Sequence, residues 1–118
     1  MSLTAIIISA ALAQGAPAAI EAGMSDVAYA ELSAGQSDAA VRKLEGEANT
    51  SDPALLINLG TAYARQGSTD KALAAFRAAI FSPDRYDLEL SDGSWMDSRE
   101  AARAALAKLQ RTSAQAAR

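Results

Sequence analysis

The 118-residue chain contains no cysteine and no histidine. Their absence removes the thiolate nucleophile, the imidazole general base and the usual nitrogen and sulfur ligands of transition metals. A glycine-rich phosphate loop and a nucleophile elbow are also missing, since Gly60 lies inside an apolar segment with helical spacing. We therefore expect a protein that is not an enzyme, and nothing in the sequence calls for a cofactor.

The sequence has no block of lysine and arginine interleaved with aromatic residues, and its net charge is −3. The cationic surface that nucleic-acid binding requires is therefore absent, and we expect no nucleic-acid partner. Three acidic residues, Asp84, Asp87 and Glu89, lie close together. They lack the regular calcium loop with its central glycine and terminal glutamate, so we predict no metal site.

Aromatic residues are scarce, whereas half of the chain is apolar and alanine dominates that half. A core of small side chains requires closely packed helices, and alanine has the highest helix propensity. The length fits one domain. These features predict a single helical domain.

No lysine or arginine precedes the apolar run of residues 4–13. The run nevertheless ends in Ala11-Leu12-Ala13, the small-x-small pattern of a signal-peptidase site, and it is far shorter than the roughly 20 residues of a membrane-spanning helix. We predict a signal peptide over residues 1–13, cleavage before Gln14, export to the periplasm and no permanent membrane anchor. The alternative is a cytoplasmic protein whose apolar N-terminal helix packs on the domain.

Turn residues divide the rest of the chain into helices. The alanine-rich stretch 14–24, with Pro17, is interpreted as a linker or a short helix. Gly35 and Gly67 each end a helix, and we expect Ser37 to cap the helix that follows Gly35. The predicted helices cover residues 26–34, 38–48, 53–66 and 69–81.

The two helix pairs match each other when the sequence is shifted by 32 residues, which indicates that one structural unit is used twice. The shift places Gly35 on Gly67, Asp38 on Asp70, Ala40 on Ala72, Val41 on Leu73 and Leu44 on Phe76.

The second copy resembles the tetratricopeptide repeat (TPR), a pair of antiparallel helices with small residues where the helices meet. The residues that carry the resemblance are Leu56, Leu59, Gly60, Tyr63, Gly67, Ala72, Phe76, Ala79 and Pro83. Leu56 stands where the family has tryptophan, and Pro83 comes one residue early. We interpret residues 53–84 as a TPR repeat and residues 25–52 as a degenerate first repeat. The resemblance implies an all-α superhelix like that of small exported bacterial TPR proteins.

After residue 84 the repeat pattern stops. Alternating residues on both sides of Asp92-Gly93 predict a β-hairpin within residues 85–96. Asp97 is placed to cap a last helix, with Glu100 at the reciprocal position, so we interpret residues 97–118 as a capping helix and tail. We expect this helix to cover the end of the second repeat and Trp95 to be buried against that repeat or the helix.

TPR domains bind peptides or partner helices on the concave face formed by the first helix of each pair. The resemblance therefore implies a protein-protein interaction module. The expected peptide-binding residues are Ile57, Asn58, Thr61 and Arg65, flanked by Ala54 and Ala64. The alternative is a helical domain that associates with itself through exposed repeat ends. Basic residues collect after residue 97, and the last helix is either a solvated face or a second docking surface for an acidic partner.

Overall fold

The computed structural model describes residues 27–47 and 51–116. The predicted signal peptide over residues 1–13 and the linker over residues 14–24 lie outside these ranges. Within them the chain is mostly helical, with five helices and one two-stranded antiparallel sheet. The elements are α1 (Tyr29–Ser33), α2 (Ser37–Glu45), α3 (Pro53–Arg65), α4 (Thr69–Phe81), β1 (Asp87–Glu89), β2 (Trp95–Asp97) and α5 (Ser98–Ala116).

Helix α3 begins at the predicted residue and ends at Arg65, one residue before the predicted end. Pro53 occupies the first turn, where its missing N–H costs nothing, and the Asp52 side chain accepts a hydrogen bond from Ala54 N at 3.1 Å. Helix α4 likewise covers the predicted residues. These bounds follow from local capping and turn residues, which is why the sequence alone could place them.

The first helix pair departs from prediction at both ends of both helices: α1 ends at Ser33 rather than residue 34, and α2 ends at Glu45 rather than residue 48. Helix α1 starts at Tyr29 rather than residue 26, because Ala28 adopts a left-handed backbone with φ of 62°. Ser37 is not the N-cap of α2; it is the first helical residue, and Gln36 precedes it without a side-chain cap.

The two glycine turns have the same backbone geometry. Gly35 and Gly67 both have positive φ, 76° and 82°, which a residue with a side chain adopts only at a cost. Helices α1 and α3, which precede these glycines, each end in the hydrogen bond of a Schellman turn. It runs from Gln36 N to Glu31 O at 2.8 Å after α1 and from Ser68 N to Tyr63 O at 2.9 Å after α3. The 32-residue recurrence is therefore present in the backbone as well as in the sequence.

Helices α3 and α4 pack closely through small residues. Ala72 is fully buried, and the Phe76 ring lies against the backbone of Gly60. Seven signature residues of the second copy are buried, namely Leu56, Leu59, Gly60, Tyr63, Ala72, Phe76 and Ala79. The other two, Gly67 and Pro83, are exposed in turns.

The predicted hairpin and last helix are both confirmed. Strands β1 and β2 pair antiparallel with Leu88 opposite Met96. Asp97 caps α5, since its Oδ2 accepts hydrogen bonds from Arg99 N at 3.1 Å and Glu100 N at 3.2 Å. Helix α5 packs mainly on α4 and buries its apolar stripe of Ala101, Ala102, Ala105 and Leu109. It therefore covers the end of the second repeat.

The prediction that Trp95 is buried was wrong. Trp95 is 48% exposed, because it lies at the start of β2 with its side chain only partly covered. Phe81, the last residue of α4, is 80% exposed. No helix within residues 27–47 and 51–116 is long and apolar enough to cross a bilayer.

Candidate functional site

The face of α3 that was expected to bind a peptide is covered. Ile57 and Asn58 have no exposed surface, and Thr61 is 4% exposed. The Thr61 hydroxyl donates to Ile57 O of its own helix at 3.0 Å. In this conformation none of these three side chains is accessible to a partner, which corrects the expectation of an open groove along them.

The segment that begins at Val27 accounts for part of this burial. Asn58 Nδ2 donates to Val27 O at 2.9 Å, and Arg65 Nη1 donates to Leu32 O at 2.8 Å. Asn58 and Arg65 thus each donate to a backbone carbonyl, and both carbonyls belong to the first helix pair of the same chain. Their role visible here is to fasten that repeat to the second.

Arg65 differs from the other three predicted residues because it is only partly buried. Its Nε is buried and has no hydrogen-bond acceptor among the described residues. Burial lowers the pKa of Arg65, since the charged guanidinium loses contact with water. Arg65 therefore carries a cation whose hydrogen-bonding capacity is not fully used.

Arg65 lines an open cleft of about 590 Å³ between the α1–α2 turn and the C-terminal end of α3. The lining residues are Gly35, Gln36, Ser37, Asp38, Ala39, Arg42, Arg65 and Gln66. Asp38 contributes the one carboxylate among them, and its Oδ1 accepts a hydrogen bond from Gln66 Nε2 at 2.7 Å. The lining residues include two arginines and one aspartate, so their side chains carry a net positive charge.

The cleft also contains the N-terminus of α2. The first helical hydrogen bond from this end is Ala40 N to Gln36 O, at 3.0 Å, so the N–H groups of residues 37–39 precede it. The side chain of Gln36, the residue before the helix, makes no capping hydrogen bond to these groups. They add a partial positive charge to that of the two arginines.

Arg65 was predicted from the sequence as a binding residue, whereas Arg42 and the cleft were not. Arg42 lies on the second helix of the first repeat, whereas the resemblance directed attention to first helices. The turn at Gly35 brings α2 beside the end of α3, and only the packed structure reveals this proximity. One signal for the cleft was available in the sequence: Gln36, which precedes α2, is a poor capping residue, so the N–H groups at the start of that helix were left for another acceptor.

Tyr63 on α3 and Glu45 on α2 form a polar contact between the two helix pairs. The Tyr63 hydroxyl donates to Glu45 Oε2, and Lys71 Nζ lies 5.6 Å from the centre of the Tyr63 ring. Burial and, secondly, the hydrogen bond to Glu45 raise the pKa of Tyr63 to about 12. The phenol stays protonated at neutral pH and acts as a hydrogen-bond donor between α3 and α2.

Among the acidic residues near the hairpin, Asp84 makes a structural contact. Asp84 Oδ2 accepts a hydrogen bond from Ser51 Oγ at 2.5 Å, which links the segment after α4 to the start of α3. Across the two described ranges, no group of three or more potential metal ligands is placed to hold an ion. The geometry gives the Asp84 carboxylate a role in joining elements.

Comparison of the chain with protein-family models, with curated proteins and with solved structures finds no match in any of the three. The resemblance to the tetratricopeptide repeat therefore depends on the signature residues and on the recurrence of the two glycine turns.

Proposed function

We propose that this chain is a two-repeat TPR-like module that binds a segment of another protein and has no catalytic activity. The observation that carries the proposal is the recurrence, 32 residues apart, of the same glycine turn with the same Schellman hydrogen bond. Two equivalent helix hairpins stacked side by side are the building plan of peptide-binding helical repeats.

The surface proposed for the partner is the open cleft around Arg42 and Arg65. It replaces the α3 face, because Ile57, Asn58 and Thr61 are inaccessible. The cleft combines an open shape, two cations and amide donors from Gln36 and Gln66. A short groove of this kind supports micromolar binding, since a small interface retains little free energy after the loss of rigid-body freedom.

The proposal is tested by selecting binders from a random peptide display library against the purified chain. Selected peptides are then titrated while the backbone amide resonances are recorded. We expect a continuous set of shifts that includes residues 35–39 and 66, with the helical circular dichroism unchanged. Failure to select any peptide that binds the folded chain would overturn the proposal.

Self-association is the second candidate, and the exposure of Phe81 favours it. A phenylalanine that is 80% exposed at the end of a helix is an unfavourable contact with water that a second copy could remove. Light scattering of the native chain and of Phe81→Ser separates the candidates. A mass that rises with concentration in the native chain and not in Phe81→Ser supports association, whereas a monomer throughout excludes it.

Export is proposed from the apolar run and the Ala11-Leu12-Ala13 pattern alone. The intact mass of the protein from its native cells is expected to correspond to a chain that starts at Gln14. A product that retains Met1 would contradict export through this signal.

A further inference from the structure

We infer that the outer face of the β1–β2 hairpin is a second interaction surface, which binds an extended segment of a partner protein with arginines at two alternate positions. The surface is formed by Trp95, Asp87 and Glu89. None of these residues lines the cleft assigned to the proposed function, so the inference stands apart from that function.

The register of the two strands places the three side chains on one face of the hairpin. Glu89 lies opposite Trp95, and Asp87 lies opposite Asp97. Leu88, between the two acidic residues of β1, has no exposed surface and belongs to the core. Because successive side chains of a strand alternate between its faces, Asp87 and Glu89 are on the outer face together with Trp95.

Glu89 and Trp95 form a pair without mutual backbone hydrogen bonds. The adjacent pair, Leu90 and Ser94, contains the backbone hydrogen bond from Leu90 N to Ser94 O at 2.8 Å, and the two kinds of pair alternate along an antiparallel ladder. Pairs without hydrogen bonds bring the Cα atoms to about 4.5 Å and the side chains closest together. The carboxylate and the indole therefore belong to one patch.

The patch carries negative charge that the chain itself leaves available. Within the described ranges neither Asp87 nor Glu89 forms a side-chain hydrogen bond or a salt bridge, whereas Asp97 pairs with Arg85 at 2.8 Å. Like charges directly opposite each other destabilise a strand pair, so the position of Asp87 opposite Asp97 is unfavourable for the hairpin. A cation bound at this face would relieve that repulsion, so the charge selects a cationic partner.

The indole selects arginine among the cationic side chains. Trp95 is 48% exposed, and no lysine or arginine of the described ranges lies over its ring. Tryptophan is the aromatic residue that attracts a cation most strongly, and the planar guanidinium also stacks on such a ring. One guanidinium can therefore stack on Trp95 and donate to the Glu89 carboxylate.

The spacing of the two carboxylates determines the form of the bound segment. Asp87 and Glu89 are two residues apart in a strand, which separates their Cα atoms by about 6.6 Å. Side chains at alternate positions of an extended segment share this spacing and one direction, whereas residues two apart on a helix do not share a face. The exposed cations of α5 are on a helix, so a second copy of the chain does not present the matching pattern.

The test is a titration of the full chain at low salt with three pentapeptides blocked at both ends. The first alternates threonine and arginine, the second has the same composition with its two arginines adjacent, and the third has glutamine in place of arginine. The chain has one tryptophan, so its emission reports binding at this face. We expect the alternating peptide to change the emission and to bind about threefold more tightly than the adjacent one, since it gains one exposed ion pair. The glutamine peptide should have no effect.

Four variants make the test specific. Glu89→Gln and Asp87→Asn should each weaken binding of the alternating peptide about threefold. Asp70→Asn is the matched control, since it removes one exposed negative charge from α4. Trp95→Leu keeps an apolar side chain without the ring and should also weaken binding about threefold, measured by amide shifts of residues 87–89. Circular dichroism checks the fold of each variant.

Three results would overturn the inference. One is an unchanged Trp95 emission with the alternating peptide. Another is equal affinity for the two arginine peptides, or an equal loss of binding in Asp70→Asn and Glu89→Gln, because either would indicate attraction to overall charge. The third is a chain that dimerises without peptide and becomes monomeric in Glu89→Gln, which would assign the face to a second copy. The proposed function is read at residues 35–39 and 66, so it stands or fails separately.

Discussion

The Phe76 ring on α4 occupies the space beside Gly60 on α3, and a β-carbon at position 60 would lie 2.5 Å from Phe76 Cε1. Phe76 is 2% exposed, so its ring is enclosed by the protein and cannot turn away from Gly60 into solvent without losing its burial. This contact fixes how closely the two helices of the second repeat approach.

Gly60→Leu should therefore destabilise the fold by roughly 2 to 4 kcal/mol, and Gly60→Ala by about 1 to 3 kcal/mol, because both overpack the α3–α4 contact. Thermal and denaturant melting monitored by circular dichroism measure the change. Gly46→Ala is the control, since a β-carbon there meets only Lys43 O at 3.7 Å. Combining Gly60→Ala with Phe76→Leu should recover part of the lost stability, because the smaller side chain makes room for the added methyl group. If Gly60→Leu melted at the same midpoint as the native chain, the close contact between Gly60 and Phe76 would be refuted.

Asn58→Ala should destabilise the chain by about 1 to 3 kcal/mol, because it leaves the buried carbonyl of Val27 without this donor. Gln66→Ala, which removes an exposed hydrogen bond to Asp38, should change stability by less than about 0.5 kcal/mol. Denaturant melts of the two variants provide the comparison. If Asn58→Ala were as stable as Gln66→Ala, the fastening of the first repeat by Asn58 would be excluded.

Trp95 should fluoresce close to the wavelength of indole in water and be quenched readily by acrylamide, because it is 48% exposed. The chain has one tryptophan, so the emission reports this residue alone. A strongly blue-shifted, quencher-resistant emission in a monomer would contradict the exposed position. A blue shift that appears only on concentration would place Trp95 in a contact between copies.

Tyr63→Phe should cost about 1 kcal/mol at neutral pH through loss of the hydrogen bond to Glu45. The raised pKa of Tyr63, about 12, means that the folded state keeps a proton that the unfolded state loses near pH 10. The native chain is therefore expected to lose stability between pH 10 and 12 more steeply than Tyr63→Phe. Parallel slopes in urea melts over that range would show that Tyr63 is not the titrating group.

Asp97→Ala should destabilise the chain by about 1 to 2 kcal/mol, because Asp97 caps α5. Asp97→Asn should cost less, since the amide oxygen still accepts the capping bonds while the ion pair with Arg85 is lost. The hydrogen bond from Arg85 is the main cause that lowers the pKa of Asp97. The contribution of ionised Asp97 to the stability of the fold is therefore complete above the ordinary aspartate pKa, and it is lost as the pH falls through the lowered pKa. Denaturant melts of both variants at neutral and acid pH measure these changes in stability. An equal loss of stability in Asp97→Ala and Asp97→Asn would exclude the role of Asp97 as a helix cap.

Local sequence determined the positions of most elements. Pro53 and Gly67 set the bounds of α3, Asp92-Gly93 marked the hairpin, and Asp97 marked the start of α5. Each signal acts through hydrogen bonds or backbone angles within a few residues, so it can be recognised without the tertiary fold. The Gly60 and Phe76 positions were also recognisable, because the repeat pattern records which residues meet across a helix pair.

Only the tertiary structure decided which faces are open. Asn58 and Val27 are far apart in sequence, and nothing local indicates that this amide is taken up by the chain itself. The exposure of Trp95 also depends on the tertiary structure, because it is set by how far neighbouring elements extend over a short hairpin. Arg42 likewise shares a cleft with Arg65 only after α2 packs beside α3. Burial is a property of the assembled surfaces, whereas helix bounds are a property of adjacent residues, and this difference separates what the sequence could predict from what it could not.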